Sequence, residues 1–411
     1  MIITGTKLIT AKPRNPQIDN GALVFHQGTI LDVGLSGKII RKYPGHRIIR
    51  LENSVLLPGL VNLHTHLELP PLLDLIRART YPDWVINLIN AKRELETSDY
   101  TLAAKQNIRT LIYTGTTTVA EICTHQISPM LLKRSGLRAM IFHEIISMNP
   151  EMPFPRPSSL ISRPSSLMQH GISPHAPHTV SEQVLKRIKE IASQNKLRLC
   201  MHVAESKDEV RLLQGKKSGF DRLYDAANWD KAWAPSADSP FEYLHHIGLL
   251  KPNLLAVHAV QATNEDINLI HTSRAPIAHC PRSNKETSVG RMDLKKFLDA
   301  GITVGLGTDS LASSPSLSMW DEMRYAYQIH RRDGVTPKDI LSLATIGVAK
   351  ALGLDKEIGT LERGKRADII AVPLPKKNTG DIYSDLLRET KSCIMTMVNG
   401  KMLYPDNSRE K

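Results

Sequence analysis

The stretch "LPGLVNLHTHLELP", residues 57–70, ends an apolar run on two histidines, His64 and His66. Side chains two positions apart on a strand point to the same face, so the two imidazoles can converge on one point just beyond the strand. Neutral imidazole is the commonest protein ligand for divalent transition metals. The pair therefore indicates a metal site, although with 16 His in 411 residues a single pair can also arise by chance.

Seven more apolar runs of strand length follow along the chain, and nearly all end in an ionisable side chain. In order the eight runs are PGLVNL, GTTTVAEI, LRAMIF, QHGIS, LRLCMHV, NLLAVHA, APIAHC and ITVGLG. The residues at or just past their ends are His64, His66, Glu121, His143, Glu144, His175, His202, Glu205, His258, His279 and Asp309. Helical patterns separate the runs, which predicts an α/β fold, the (β/α)8 TIM barrel. Because the active site of that barrel lies at the carboxyl ends of its strands, we expect these side chains to form one ring.

The two ends of the chain differ from the middle. Residues 1–57 and 355–411 read as short alternating strands broken by turn pairs such as Asn20-Gly21. This pattern predicts a small β-sandwich domain built from both chain ends, flanking a catalytic barrel domain over residues 58–354. The Pro- and Ser-rich stretch 150–166 is typical of a long surface loop.

Two helices can be placed from local signals alone. Thr97 or Ser98 is predicted to cap a helix that ends before Gly115. The stretch "TPKDILSLATIGVAKALG" predicts a second helix, with Pro337 just inside its start.

Composition excludes several classes of protein. The chain is 41% hydrophobic and 23% charged, and no apolar run approaches the length of a membrane span. Its first residues lack the pattern of a signal peptide, and the 4 Cys are scattered, so a cytoplasmic protein is predicted. The formal charge of +12 is spread along the chain without a basic run, which predicts a solvated basic surface and no nucleic-acid binding.

Six motifs together resemble a known family. They are "PGLVNLHTHLE", "SPHAPHT", "CMHVAES", "AVHAV", "AHCPRSN" and "GLGTDSLAS", and they occur in the order found in the metal-dependent amidohydrolase superfamily. The chain most resembles its aminohydrolase and chlorohydrolase branch, the cytosine deaminase-like enzymes. The resemblance covers essentially the whole chain and implies the same barrel with its flanking β domain.

The resemblance implies one divalent metal ion, Zn²⁺ or Fe²⁺, held by His64, His66, His202 and Asp309. Three neutral nitrogens and one carboxylate leave a coordination position open for water, as a catalytic site requires. The sequence does not choose between zinc and iron. No Lys ends the fourth strand, where binuclear members of the family carry a bridging carbamate, so the mononuclear type is favoured.

The family's catalytic roles carry over to three residues. Metal-bound water is expected to lose a proton to Asp309 and to attack a purine-like ring carbon as hydroxide, with release of ammonia. His258 is expected to orient the hydroxide or the developing oxyanion. Glu205 is expected to protonate a ring nitrogen and then the leaving amine, which requires a carboxylate whose pKa is raised by burial.

Substrate-contacting residues are predicted from the same resemblance. The "YPDW" segment with Trp84 and the strand ending "FHEII" with Glu144 resemble the aminofutalosine deaminases, which act on 6-amino-6-deoxyfutalosine in menaquinone biosynthesis. His175 corresponds to a substrate-contacting position of the deaminases. Arg138 matches the first arginine of the S-adenosylhomocysteine deaminases, and His279 is expected either to line the pocket or to support it.

Several alternatives stay open at this point. The protein can be an S-adenosylhomocysteine or methylthioadenosine deaminase, or another ring aminohydrolase or chlorohydrolase, although chlorohydrolases commonly lack the glutamate present here as Glu205. A metal-free structural homologue is the non-enzyme alternative. Family members often form homodimers, but no sequence stripe here predicts one. The other histidines, His178 among them, are predicted to be structural or on the surface.

Overall fold

A computed structural model describes residues 1–12, 17–152, 167–227, 229 and 237–405. Its strands are β1 Ile2–Ile9, β2 Gln17–Asp19, β3 Gly21–His26, β4 Thr29–Leu35, β5 Ile48–Pro58, β6 Leu60–Thr65, β7 Thr116–Cys123, β8 Arg138–Ile145, β9 Met168–Pro174, β10 Leu199–Val203, β11 Leu254–His258, β12 Ile277–His279, β13 Val304–Leu306, β14 Ile369–Pro373, β15 Met395–Val398 and β16 Lys401–Tyr404. They form two sheets, one of which is a barrel.

The helices described are α1 Ser36–Lys42, α2 Tyr81–Arg93, α3 Thr97–Tyr113, α4 Ser128–Ser135, α5 Glu182–Asn195, α6 Lys207–Leu213, α7 Asp221–Ala227, α8 Pro240–His246, α9 Asn264–Ser273, α10 Pro281–Glu286, α11 Leu294–Asp299, α12 Met319–His330, α13 Pro337–Leu343, α14 Ile346–Ala351 and α15 Ile382–Glu389. Within the described ranges, none of these helices is both long and apolar enough to cross a membrane.

The barrel consists of the parallel strands β6 to β13, each hydrogen-bonded to the next in chain order. The predicted (β/α)8 barrel with a small β domain from both chain ends is therefore confirmed. All residues of β7, β10 and β11 are buried, which explains why β10 and β11 are apolar apart from one histidine each and do not alternate with polar residues.

The barrel closes where the chain beyond β13 meets β6. The Asp309 amide donates a hydrogen bond to the His64 carbonyl at 2.9 Å, and the Thr65 hydroxyl donates to the Asp309 carbonyl at 3.0 Å. Gly307 permits this approach, since a Cβ there would lie 2.8 Å from the His64 nitrogen. Closure thus brings the last predicted metal ligand against the first.

The second sheet is mixed, with the strand order β16-β15-β14-β5-β1-β3-β4 and β2 paired to β1. Both chain ends contribute to it, because β5 lies between β1, which is parallel to it, and β14, which is antiparallel. Only Gly59 separates β5 from the first barrel strand. The sheet is thereby joined directly to the barrel, and the boundaries at 57/58 and 354/355 remain predictions.

Three local predictions can be compared with the structure. Helix α3 begins at Thr97, but its cap is Glu96, whose side chain and that of Asp99 form a reciprocal capping box, so the predicted cap is wrong by one or two residues. The predicted single helix after Thr336 is two helices, α13 and α14, which are separated by Ala344 and Thr345. The predicted loop over 150–166 falls almost entirely outside the described residues.

Candidate active site

Four side chains converge at the carboxyl end of the barrel. The Nε2 atoms of His64 and His202 lie 3.2 Å apart, and Asp309 Oδ1 lies 3.7 Å from His64 Nε2 and 3.6 Å from His66 Nε2. Two ligands about 2.1 Å from a tetrahedral metal ion are about 3.4 Å from each other. The spacing of these atoms therefore fits one divalent ion.

The tautomer of His202 supports the same conclusion. Its Nδ1 lies 2.8 Å from the His175 carbonyl, and only a protonated nitrogen can make that hydrogen bond. The Nε2 atom consequently carries a lone pair directed at the cluster. An outer hydrogen bond that fixes the ring in this way is typical of metal-binding histidines.

Burial sets the protonation states in this cluster. It lowers the pKa of His64 well below its ordinary value and also lowers the pKa of His66, so both rings are neutral and can bind a metal. Burial alone would raise the pKa of Asp309, but the surrounding imidazoles, His64 first, outweigh it and lower that pKa below its ordinary value. His64 and His66 thus offer two neutral nitrogens beside the ionised carboxylate of Asp309.

His258 ends β11 and faces the cluster with an unprotonated nitrogen. Its Nδ1 lies 2.8 Å from Asn284 Oδ1, so Nδ1 carries the proton. The buried Nε2 has no hydrogen-bond partner among the described residues, and it lies 3.9 Å from Asp309 Oδ2 and 3.6 Å from Glu205 Oε1. This nitrogen can accept a hydrogen bond from a water molecule placed between the two carboxylates.

Glu205 is a buried carboxylate at the same place. Burial raises its pKa to about 7, and the Tyr81 hydroxyl donates a hydrogen bond to its Oε2 at 2.7 Å. A carboxyl group with a pKa near neutrality can both give and take a proton at working pH. Glu205 is therefore equipped for acid–base chemistry beside the metal cluster.

The backbone is strained at three points of this site. Residues with positive φ are Asp309 at 58°, His258 at 75° and Ala204, between His202 and Glu205, at 52°. L-amino acids other than glycine rarely adopt this region, and such strain tends to concentrate at functional sites. The surrounding hydrogen bonds hold the ligand and proton-transfer groups in these conformations.

A cavity of about 600 Å³, measured out to its open mouth, lies over the cluster. Trp84 and His175, both predicted to contact substrate, line the cavity. The ligands His66, His202 and Asp309 line it too, as does Glu205. The remaining wall is largely apolar and aromatic, with Leu69, Tyr81, Val85, Leu88, His178 and Leu223. Such a wall suits a flat heteroaromatic ring.

Three of the five predicted substrate residues, Arg138, His279 and Glu144, do not line this cavity. Arg138 begins β8, at the opposite end of the barrel, where its Nε donates a hydrogen bond to Asp368 at 3.1 Å. Its position contradicts the predicted substrate contact. His279 is fully buried, and its Nε2 lies 3.1 Å from His330 Nε2 on α12, which fits the supporting role that was one of the two expected for it.

Glu144 takes an intermediate position. It lies half-buried at the end of β8 and accepts a hydrogen bond from the Thr124 hydroxyl at 2.6 Å. It does not line the cavity, although its charge acts on His66. Glu144 therefore belongs to the rim of the site.

The Arg138 finding leads to a stability prediction. Arg138 and Asp368 are 5% and 3% exposed and join the barrel to the terminal sheet. Replacing Asp368 with Ala removes the partner of a buried guanidinium, so we expect urea denaturation to show a loss of about 3–5 kcal/mol of unfolding free energy. The exposed pair of Lys186 and Glu182 provides the control, and Glu182→Ala should cost less than about 1 kcal/mol. A substrate-specific rise in KM without loss of stability would contradict this structural role.

Sequence reasoning missed three residues of the site. Tyr81 was not singled out, although it lies three positions before Trp84 and so shares its helix face. Asn284 stood unassigned in the motif "AHCPRSN". His178, predicted to be structural or on the surface, lines the cavity and stacks on Phe220 with ring centroids 4.4 Å apart. Its spacing of three from His175 was the available signal.

Comparisons with known proteins agree with this geometry. The model of the amidohydrolase family matches residues 55–403. A 5-methylthioadenosine/S-adenosylhomocysteine deaminase of Nitratidesulfovibrio vulgaris is 28% identical, over 98% of this chain and 92% of its own. The crystal structure of Helicobacter pylori aminofutalosine deaminase with methylthio-coformycin has a TM-score of 0.87 at 24% identity, covering 98% and 99% of the two chains. The crystal structure of a zinc-bound adenosine deaminase of Xanthomonas campestris has a TM-score of 0.83 at 22% identity, and the match covers 98% of this chain and 92% of the other. Both structures share the fold of this chain.

Proposed function

Because this chain belongs to the amidohydrolase family and is a hydrolase of carbon–nitrogen bonds, we propose that it deaminates a purine-like nucleoside. The substrate proposed first is 6-amino-6-deoxyfutalosine, which would place the enzyme in menaquinone biosynthesis. The observation that carries the reaction type is the position of Glu205, whose pKa burial raises to about 7, in the same cavity as three of the four ligands, His66, His202 and Asp309. The resemblance of the Trp84 segment and of the Glu144 strand ending supports the choice of substrate.

The metal-binding residues have a defined part in this reaction. His64, His66, His202 and Asp309 would hold a divalent ion, which would supply the Lewis acidity that activates a water molecule. Asp309 is ionised before the reaction and can therefore take up the proton that the attacking water loses. His258 Nε2 accepts a hydrogen bond from that water and orients it toward the ring carbon.

Glu205 completes the proton transfers. Its protonated carboxyl donates to the ring nitrogen as the water oxygen bonds to the ring carbon. Glu205 then takes the proton of the new hydroxyl group and gives it to the amino group, the carbon–nitrogen bond breaks, ammonia leaves, and the ring retains the oxygen as a carbonyl. The proton held by Asp309 passes to Glu205, which returns both carboxyl groups to their starting states. Tyr81 holds the Glu205 carboxyl in place through Oε2 during these steps.

A second candidate is a 5-methylthioadenosine or S-adenosylhomocysteine deaminase. Relatives that bear this name in three bacteria match 94–98% of this chain, and they are 26–29% identical to it. The chemistry at the metal cluster and at Glu205 is the same for both candidates. They differ in the group attached to the ribose, outside the reacting ring.

The identity of the metal and the setting of the protein belong to this proposal too. The ion is zinc or ferrous iron, both of which accept three imidazoles and a carboxylate. The protein works in the cytoplasm, with a barrel domain over 58–354 and a terminal β domain. The free, buried cysteines fit a reducing compartment.

An ammonia-release assay on metal-loaded protein tests the function. Aminofutalosine, S-adenosylhomocysteine, methylthioadenosine, adenosine and guanine are compared by kcat/KM. Preference for aminofutalosine is the expected result. Preference for one of the other four would retain the chemistry and overturn the substrate, while no release from any of them by metal-loaded protein would overturn the deaminase itself.

A further inference from the structure

One face of helix α2 forms a wall of the substrate cavity. The residues that line the cavity from this helix are Tyr81, Trp84, Val85 and Leu88. Their spacing of three and four positions is that of a single helix face. The next residue on the face, one turn beyond Leu88, is Lys92. The helix therefore leads from the catalytic carboxyl, which Tyr81 holds, to a cation.

The surroundings of Lys92 place it at the rim of the site. The Tyr100 hydroxyl donates a hydrogen bond to the Lys92 carbonyl at 3.4 Å, and the Tyr100 ring lies 3.9 Å from that of His125, just past the end of β7. Lys92 is half-buried, and within the described part of the chain no carboxylate pairs with its ammonium group. A half-buried cation without a counter-ion is suited to an anion supplied by a ligand.

The charge of Lys92 extends into the site. Burial is the main cause that lowers the pKa of His125, and Lys92 lowers it further. The pKa of His175, which lines the cavity, lies well below its ordinary value because of burial and neighbouring imidazoles, with a further contribution from Lys92. The ammonium group is therefore near enough to both rings for its charge to act on them, as expected for a residue one turn beyond Leu88 on the helix face that lines the cavity.

The length of the wall indicates what reaches Lys92. A rise of 1.5 Å per residue puts Lys92 about 16 Å along the helix from Tyr81. A purine ring with its ribose is only about 10 Å long, judged from the covalent bond lengths of its parts. A substrate whose amino group lies at Glu205 therefore reaches Lys92 only through a substituent on the ribose.

We propose that Lys92 is a specificity-determining residue that binds a carboxylate on this ribose substituent. The proposal rests on the proposed function, since it assumes a nucleoside bound with its ring at Glu205. Aminofutalosine and S-adenosylhomocysteine both carry such a carboxylate, whereas methylthioadenosine and 5'-deoxyadenosine carry none. Lys92 thereby separates acidic from neutral nucleosides.

Glu144 distinguishes the two sources of the carboxylate. It accepts a hydrogen bond from Thr124, the neighbour of His125, and the His125 ring contacts Tyr100, which bonds to the Lys92 carbonyl. The charges of Glu144 and Lys92 also both act on His125 and His66, so the two residues lie near the same part of the rim. The α-amino acid group of S-adenosylhomocysteine has an ammonium group that Glu144 can bind beside the carboxylate on Lys92. The benzoate of aminofutalosine has no ammonium group and uses Lys92 alone.

The experiment compares Lys92→Gln with wild type on all four nucleosides. For the substrates with a carboxylate we expect KM to rise about tenfold to a hundredfold with kcat nearly unchanged, as for a lost charged hydrogen bond. The neutral substrates should keep their kcat/KM, and Lys92→Arg should restore most of the affinity for the acidic ones. Glu144→Gln should raise KM for S-adenosylhomocysteine and for none of the other three nucleosides.

The neighbouring exposed Arg93 provides the matched control. Arg93→Gln should leave kcat/KM unchanged for all four nucleosides. An unchanged KM for acidic substrates in Lys92→Gln would overturn the proposal, and so would an equal loss on all four nucleosides. Wild-type enzyme that deaminates only neutral nucleosides would overturn the Lys92 subsite and leave the deaminase intact. Wild-type enzyme that deaminates none would overturn both.

Discussion

An Asp309→Ala variant is expected to lose both its metal and its turnover. Asp309 provides the only carboxylate among the four converging ligands, and its Oδ1 lies within 3.7 Å of two ligand nitrogens. It is also the group to which we assign the proton of the attacking water. Metal-to-protein ratio and ammonia release, measured on the same preparation, should both fall to background.

The backbone of Asp309 calls for a second variant. Its φ of 58° is unfavourable for alanine, whereas asparagine tolerates this region. The asparagine oxygen can still accept the hydrogen bond from the Ser310 amide, and its NH2 group can donate to the Ser283 hydroxyl oxygen in place of the bond that Oδ2 accepts. Asp309→Asn therefore removes the charge without straining the loop and should still lose turnover. Ser283→Ala, which removes one hydrogen bond to Oδ2, should retain the metal. A fully active Asp309→Ala enzyme would refute the mechanism.

A Glu205→Gln variant should behave differently, keeping its metal while turnover falls by about 10²–10⁴-fold. Glutamine has the size of glutamate and can still accept the hydrogen bond from Tyr81, but it cannot give a proton to the ring nitrogen. The expected signature is a fall in kcat with little change in KM, since the lost step is chemical.

Tyr81→Phe is the matched control for Glu205. This variant keeps the carboxyl group of Glu205 and removes only the hydrogen bond that Tyr81 donates to Oε2. In the wild type that hydrogen bond lowers the pKa of Glu205, against the stronger effect of burial, which raises it. We expect a smaller loss of activity and a shift of the activity profile to higher pH, because the Glu205 pKa rises further. Loss of metal from Glu205→Gln would show that Glu205 is a ligand and not the acid.

Local sequence patterns were enough for the barrel and for its ring of histidines. Strands buried on both faces require continuous apolar runs, and parallel strands bring their carboxyl ends to one rim, so the positions of His64, His202 and His258 followed from strand order. The closing contact between His64 and Asp309 followed in the same way, since the first and last strands of a barrel are neighbours.

The sequence could not assign side chains whose partners lie on distant segments. Arg138 binds Asp368, 230 residues further along the chain, and His279 binds His330 on a later helix. Neither partner is visible in the local pattern around the residue. A motif match placed Arg138 at the substrate and left His279 between lining the pocket and supporting it, whereas the packing of the terminal sheet and of α12 decides both positions.

The sequence by itself therefore determined the fold and the chemical types that meet at the barrel rim, because burial and strand periodicity are local properties. Only the tertiary structure decided which residues form the walls of the cavity. Tyr81 meets Glu205 and His178 meets Phe220 because α2 and the segment before α7 dock over the barrel mouth. That docking depends on side-chain packing between segments more than 40 residues apart, and no local spacing encodes it.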